Sequence, residues 1–184
     1  LPNNCESMYI GSGGTGWTSQ LHGTPGQVQL MDMWGFNEAQ ETSEVSPEMV
    51  KEFILPYQTE LASRFGLNYY GCCEGLDRRW EYVKAAIPRL RRVSVSQWAD
   101  STRMSEVLGG DYVYCYKVSP TDIAVPNPDE DHIRRRLNEV LTCCKQHGNR
   151  VELLMKDNHT LGRTPQNASR WVQIAREEVA RVYG

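Results

Sequence analysis

The sequence lacks an excess of basic residues and has no long apolar run. Its 184 residues carry 20 Lys and Arg against 23 Asp and Glu, a net charge of -3. This balance gives no electrostatic basis for binding nucleic acid or an anionic membrane. No apolar run approaches the roughly 20 residues of a membrane span, and no secretory signal peptide opens the sequence. We therefore expect neither nucleic acid nor a membrane among the partners.

Cysteines are too few for a disulfide scaffold. The chain has six, and four of them form the adjacent pairs Cys72-Cys73 and Cys143-Cys144. Neighbouring cysteines seldom bridge to each other, so we predict a reducing, cytoplasmic environment. The composition, 40% hydrophobic and 23% charged, is typical of a globular domain with a core. We treat residues 1–184 as a single domain.

The first residues have few apolar positions and no initiator methionine. The start at Leu1 predicts a processed chain or a piece of a longer protein. Residues 1–26 are rich in Gly, Ser, Thr and Asn, with a short strand predicted at 7–10. The glycine-rich loop at 11–17 lacks the lysine of a phosphate loop. It is better interpreted as a loop that closes over a site or a partner.

From residue 27 onward, apolar runs alternate with helical patterns. We predict strands at 28–34, 67–71, 91–96, 111–118 and 151–155. Helices are predicted at 46–66, 76–87, 102–108 and 129–147, and again from 164. Ser46 and Pro47 are typical of a helix start, and Pro56 predicts a kink in that helix. Strands alternating with helices predict an α/β fold with parallel strands, in which residues 27–184 form β/α units.

Residues capable of chemistry follow these strands. Cys72, Cys73 and Glu74 stand at a strand-to-helix junction, where two thiols and a carboxylate are candidate metal ligands. Free cysteine is equally common as a small core residue. The sequence leaves both interpretations open for this segment.

Further candidates follow the other strands. Asp32 is a substrate or proton contact, or a carboxylate that holds a loop. Asp100 is a functional strand-end residue or the N-cap of the next helix. Lys117 either reaches to water or points into a pocket, and Asp157 and His159 lie in a polar elbow after the last strand.

In a β/α barrel such loops surround one mouth, but a barrel needs eight strands and about 250 residues. Five strands predict an open sheet or part of a barrel.

Several short motifs, in this order along the chain, resemble the C-terminal part of the uroporphyrinogen decarboxylase superfamily. The resemblance covers roughly residues 28–183 and implies a (β/α)8 TIM barrel whose first strands are absent here. It is carried by residues 32–35, 46–48, 53–56, 72–73 and 156–167.

The resemblance is nearest to the branch of cobalamin-linked methyltransferases. In that branch zinc is held by a His-x-Cys pair and by a later cysteine. Cys73 matches the cysteine of the pair, and His159 matches the later cysteine. Gly71 stands where the pair has its histidine, which is a departure, so Cys72 or Glu74 would have to compensate. The resemblance also implies a corrinoid on a partner protein.

Three hypotheses follow. In the first, the chain is a zinc-dependent methyltransferase that moves a methyl group between the corrinoid and a small thiol substrate, with Asp157 or Asp100 orienting His159. In the second, it is a metal-independent decarboxylase-like lyase acting on a tetrapyrrole or another polycarboxylate. In the third, it is a non-catalytic half-barrel that must associate, as a homo-oligomer or with a missing N-terminal half, to cover its sheet edges.

Overall fold

A single parallel sheet forms the centre of the molecule. The computed structural model describes residues 18–21, 26–156, 160–161 and 163–184. In this part of the chain five strands pair in the order β1-β2-β3-β4-β5, and every neighbouring pair is parallel. The strands are β1 (Trp34–Asn37), β2 (Leu67–Tyr70), β3 (Leu90–Val95), β4 (Val113–Val118) and β5 (Arg150–Met155).

Helices connect the strands, so the predicted α/β fold with parallel strands is confirmed. Each strand-to-strand connection contains at least one helix, and a further helix follows β5. They are α1 (Pro47–Phe53), α2 (Leu55–Ala62), α3 (Trp80–Ala86), α4 (Ser101–Leu108), α5 (Glu130–Gln146) and α6 (Gln166–Tyr183).

Because the strand order is strictly sequential, the two faces of the sheet have different surroundings. Parallel crossovers are right-handed, so an order that never reverses places successive helices on the same face. The strand residues on that face belong to the hydrophobic core together with the helices, as Tyr70, Val93 and Tyr114 do. Such an order is consistent with part of a barrel.

Alternate strand residues point to the opposite side, which we call the polar face. Its buried members are unusually polar for a parallel sheet. The register aligns Ser94 with Cys115, and Cys115 with Glu152. We define the polar face as Tyr69, Arg92, Ser94, Cys115, Lys117 and Glu152.

The predicted first strand was wrong. Residues 28–34 were expected to form it, but Leu30–Asp32 is a short 3-10 turn and β1 begins only at Trp34. The Asp32 carboxylate accepts the backbone N–H of Gln29 at 2.9 Å, which stabilises the turn and competes with an extended backbone. The strand predicted at 7–10 and the glycine-rich loop at 11–17 lie outside the described residues.

The helix predicted from Ser46 is confirmed, including its interruption. The Ser46 hydroxyl accepts the backbone N–H of Met49 at 3.2 Å, and Pro47 occupies the first turn. The helix breaks at Ile54, two residues before Pro56, giving α1 and α2. It ends at Ala62 and not at Gly66 as predicted.

In the described part of the chain, no helix is both long enough and apolar enough to cross a membrane. The five cysteines described there are all free thiols.

Candidate functional site

A glycine elbow after β2 positions the adjacent cysteines. Gly71 has φ +98°, a conformation that residues with a Cβ rarely adopt. A Cβ at this position would also lie 2.7 Å from Leu76 Cδ1. The Ser94 hydroxyl donates to the backbone carbonyl of Cys72 at 2.9 Å. The elbow is therefore fixed against β3, at the carboxyl edge of the sheet.

Glu74 holds this elbow to the loop after β1. Its carboxylate is only 2% exposed. One oxygen accepts the backbone N–H of Ala39 and the other accepts that of Cys72, each at 2.8 Å. Buried N–H groups need acceptors, so Glu74 performs a structural task that its sequence position did not reveal.

Both thiols of the elbow converge on one lysine. Cys72 Sγ and Cys73 Sγ lie 3.7 Å apart. Lys156, the residue after β5, places Nζ at 3.1 Å from Cys72 Sγ and at 2.6 Å from Cys73 Sγ. Cys72 is buried and Cys73 is partly exposed. Residues 83 positions apart in sequence thus meet because both follow strands of one parallel sheet.

Below the elbow, the polar face carries two buried basic side chains around one aromatic ring. The Arg92 guanidinium carbon lies 4.6 Å from the centre of the Tyr69 ring, and Lys117 Nζ lies 5.4 Å from it. Arg92 also pairs with Glu152 on β5 and donates to Cys115 Sγ at 3.3 Å. Cation–ring contacts of this kind gain strength when they are desolvated.

Burial shifts the protonation equilibria on this face. It raises the pKa of the Cys115 thiol and that of the Tyr69 hydroxyl, so both stay protonated at neutral pH. Burial lowers the pKa of Lys117, and the positive charges of Arg92 and Lys156 lower it further. Cys115 and Cys72 would each oppose this shift as thiolates, and burial raises the pKa of Cys115, which keeps that thiol protonated.

A small pocket opens beside these groups. It has a volume of about 190 Å³, and Cys73, Lys117 and Lys156 contribute to its wall. Trp98, from the loop after β3, also lines it and is 75% exposed. A second pocket, of about 480 Å³, shares Cys73 and Trp98 with the first. Cys73, Lys117 and Lys156 therefore border solvent-accessible space at the carboxyl edge of the sheet.

The structure brings some predicted site residues together and separates others. Cys72, Cys73 and Lys117 lie at or next to this pocket. Asp32 precedes β1 and lies at the opposite, amino edge of the sheet, where it caps a turn. Asp100 is at the carboxyl edge, but its carboxylate accepts the backbone N–H of Arg103 at 2.9 Å as the N-cap of α4.

Two predicted residues, Asp157 and His159, lie outside the described residues. Within those described, no group of three His, Cys, Asp or Glu side chains is arranged to hold a metal ion. Of the ligands that the resemblance implies, the described residues include Cys72, Cys73 and Glu74.

The donor set fits zinc in part. Two zinc-bound thiolates, at about 2.3 Å from a tetrahedral ion, lie about 3.8 Å from each other, close to the separation of the two sulfurs here. Glu74 fits poorly, because a metal would have to compete with two buried N–H groups for its oxygens.

Sequence reasoning missed the polar face. Arg92, Cys115 and Glu152 were not among the predicted site residues, and Lys156 entered only through the segment 156–167 that carries the resemblance. A signal was present: Arg92 and Ser94, and likewise Cys115 and Lys117, are two residues apart on predicted strands. Period-two spacing places each pair on one face.

Comparison with known proteins gave no match: no family model, no curated protein and no solved structure corresponds to the chain.

Proposed function

We propose that the chain carries the thiol-activating site of an enzyme that transfers a methyl group between a corrinoid and a thiol. One observation carries this proposal: the sulfurs of two adjacent cysteines converge on a single cation at the carboxyl edge of a parallel sheet. Active sites of β/α folds gather at this edge.

Cys72 and Cys73 would hold a zinc ion, with His159 as the third ligand expected from the sequence. Zinc, when bound, would lower the pKa of a substrate thiol and so supply a thiolate at neutral pH. Ser94 and Glu74 keep the elbow in position through the backbone of Cys72. The exposed Trp98 borders both pockets and offers an apolar surface to a substrate or to the corrinoid partner.

The test is the metal content of protein purified without chelator. We expect near-stoichiometric zinc in the wild type and its loss in Cys73→Ser and in His159→Ala. Cys143→Ser is the matched control, because Cys143 is a partly exposed cysteine in the last turns of α5 and belongs to no proposed ligand set. A folded wild type without metal, or zinc lost equally in the control, would overturn the proposal.

A metal-independent decarboxylase-like lyase is the second candidate. It is favoured by the buried guanidinium of Arg92 on the polar face, since guanidinium groups bind the carboxylates of a polycarboxylate substrate. Release of CO2 from such a substrate by chelator-treated, zinc-free protein would favour the lyase over the methyltransferase. Activity that returns only with added zinc would exclude it.

A further inference from the structure

Lys117 is a buried amine beside a pocket, and neither metal binding nor thiol activation uses it. Its side chain belongs to the polar face of β4, one residue before the strand ends. It is 1% exposed as a residue, yet it contributes to the wall of the 190 Å³ pocket that Cys73 and Lys156 also line. Nζ is close to the Tyr69 ring. A largely desolvated lysine therefore borders the space in which a small molecule would bind.

The surroundings favour the neutral, nucleophilic form of this amine. Desolvation and neighbouring cations are the two ways in which proteins activate lysine for attack on a carbonyl carbon. Both act on Lys117: burial is the largest cause of its lowered pKa, and the charges of Arg92 and Lys156 lower it further, against the opposing effect of Cys115 and Cys72 as thiolates. Lysine, unlike arginine, shifts its protonation readily in such an environment.

We propose that Lys117 forms a Schiff base with the carbonyl carbon of a small β-keto acid. The inference rests on the second candidate function, the metal-independent lyase, and names its nucleophile and substrate class; it requires neither zinc nor a substrate thiol. It names a lysine-dependent route for carbon–carbon bond cleavage at the same edge of the sheet.

The pocket suits a substrate of this class. Its volume corresponds to about six water molecules, which leaves room for only a few non-hydrogen atoms. Trp98, Val118 and Pro120 supply apolar surface, and Lys156 adds a basic side chain to the same wall. Ser96 and Gln97, which also line the pocket, offer polar groups to the oxygen that leaves the carbonyl carbon.

The reaction balances without an oxidant. The lone pair of the neutral amine forms a bond to the carbonyl carbon, and the carbonyl oxygen leaves as water after taking up protons. The resulting iminium accepts the electron pair of the bond to the carboxylate, so that carbon dioxide is released and an enamine remains. Protonation of the enamine and hydrolysis of the iminium return the ketone product and free Lys117.

Borohydride trapping tests the proposal on the full chain. Incubation with acetoacetate and sodium borohydride should leave one reduced adduct per chain, and peptide mass mapping should place it on Lys117. Lys117→Arg keeps a positive charge but removes the nucleophile, so the adduct should disappear. Lys84→Arg is the matched control, because Lys84 is an exposed lysine on α3, and this variant should be labelled as the wild type is.

Mapping of the wild type makes the test independent of how well Lys117→Arg folds. An adduct on Lys156 alone, labelling spread over exposed lysines such as Lys84, or no adduct would each overturn the proposal. The trapping is repeated after chelator treatment to separate it from the zinc site. Equal labelling with and without metal is expected, and labelling that depends on zinc would contradict a route based on the amine alone.

Discussion

Glu74→Gln tests whether the elbow depends on a buried carboxylate. The substitution keeps the size of the side chain but replaces one oxygen by an NH2 group. The two backbone N–H groups of Ala39 and Cys72 now donate to separate oxygens. In the variant only one of them can find an oxygen, and the other faces a donor.

The magnitude follows from this change. The bond that remains changes from a charged acceptor, worth about 1.5–3 kcal/mol, to a neutral one, worth about 0.5–1.5 kcal/mol, which is a loss of about 1 kcal/mol. The other donor is left buried without an acceptor, at a cost of about 1–3 kcal/mol. We expect a loss of about 2–4 kcal/mol in the free energy of unfolding. For a chain of this size each kcal/mol shifts Tm by about 2–4 °C, so a decrease of roughly 4–16 °C is expected.

Urea titration followed by circular dichroism measures the effect. The transition midpoint should fall while the slope stays the same, since the surface exposed on unfolding does not change. Glu81→Gln, at an exposed glutamate of α3, is the control and should unfold as the wild type does. If Glu74→Gln loses less than about 0.5 kcal/mol, the range of ordinary surface substitutions, the structural role of Glu74 is refuted.

Three further predictions concern stability. Gly71→Ala should cost about 2–5 kcal/mol, because its positive φ strains a residue with a Cβ and the new methyl group meets Leu76; a thermal midpoint equal to that of the wild type would contradict this. Asn68→Leu should cost about 2–4 kcal/mol in urea titrations, since the fully buried amide nitrogen of Asn68 donates to two backbone carbonyls; an unchanged midpoint would show that these bonds contribute nothing. Burial raises the pKa of Asp122, so the folded state binds its proton more tightly and stability is lost as pH rises through the raised pKa. Asp122→Asn should therefore stabilise the protein at neutral pH and have no effect below about pH 4, the ordinary carboxyl pKa; a benefit that persists in acid would refute the reasoning.

Helices whose first residues include an N-cap side chain and a proline were predictable from the sequence. Ser46 and Pro47 mark the start of α1, and a local side chain to backbone contact explains why. The first strand failed for the same kind of reason. Asp32 stabilises a turn through a neighbouring N–H, and this local bond outweighs the apolar pattern of residues 28–34.

The candidate site was only partly predictable. The alternation of predicted strands and helices correctly placed Cys72 and Cys73 at the carboxyl edge. Their shared contact with Lys156, however, depends on the order in which the strands pair within the sheet. The ion pair between Arg92 and Glu152 joins residues 60 positions apart across β4. A charged residue on a strand normally indicates exposure. The burial of Arg92 therefore could be inferred only once its ion-pair partner, Glu152, was known.

Sequential strand order also bears on how the chain folds. Paired residues of neighbouring strands are close in sequence: Tyr70 and Val93 are 93 − 70 = 23 positions apart, and Tyr116 and Leu153 are 153 − 116 = 37 apart. Among the strands that the structure describes, no pairing joins distant ends of the chain, and short loops cost less entropy to close. A chain emerging from the ribosome can thus add each strand to the edge formed by the one before it.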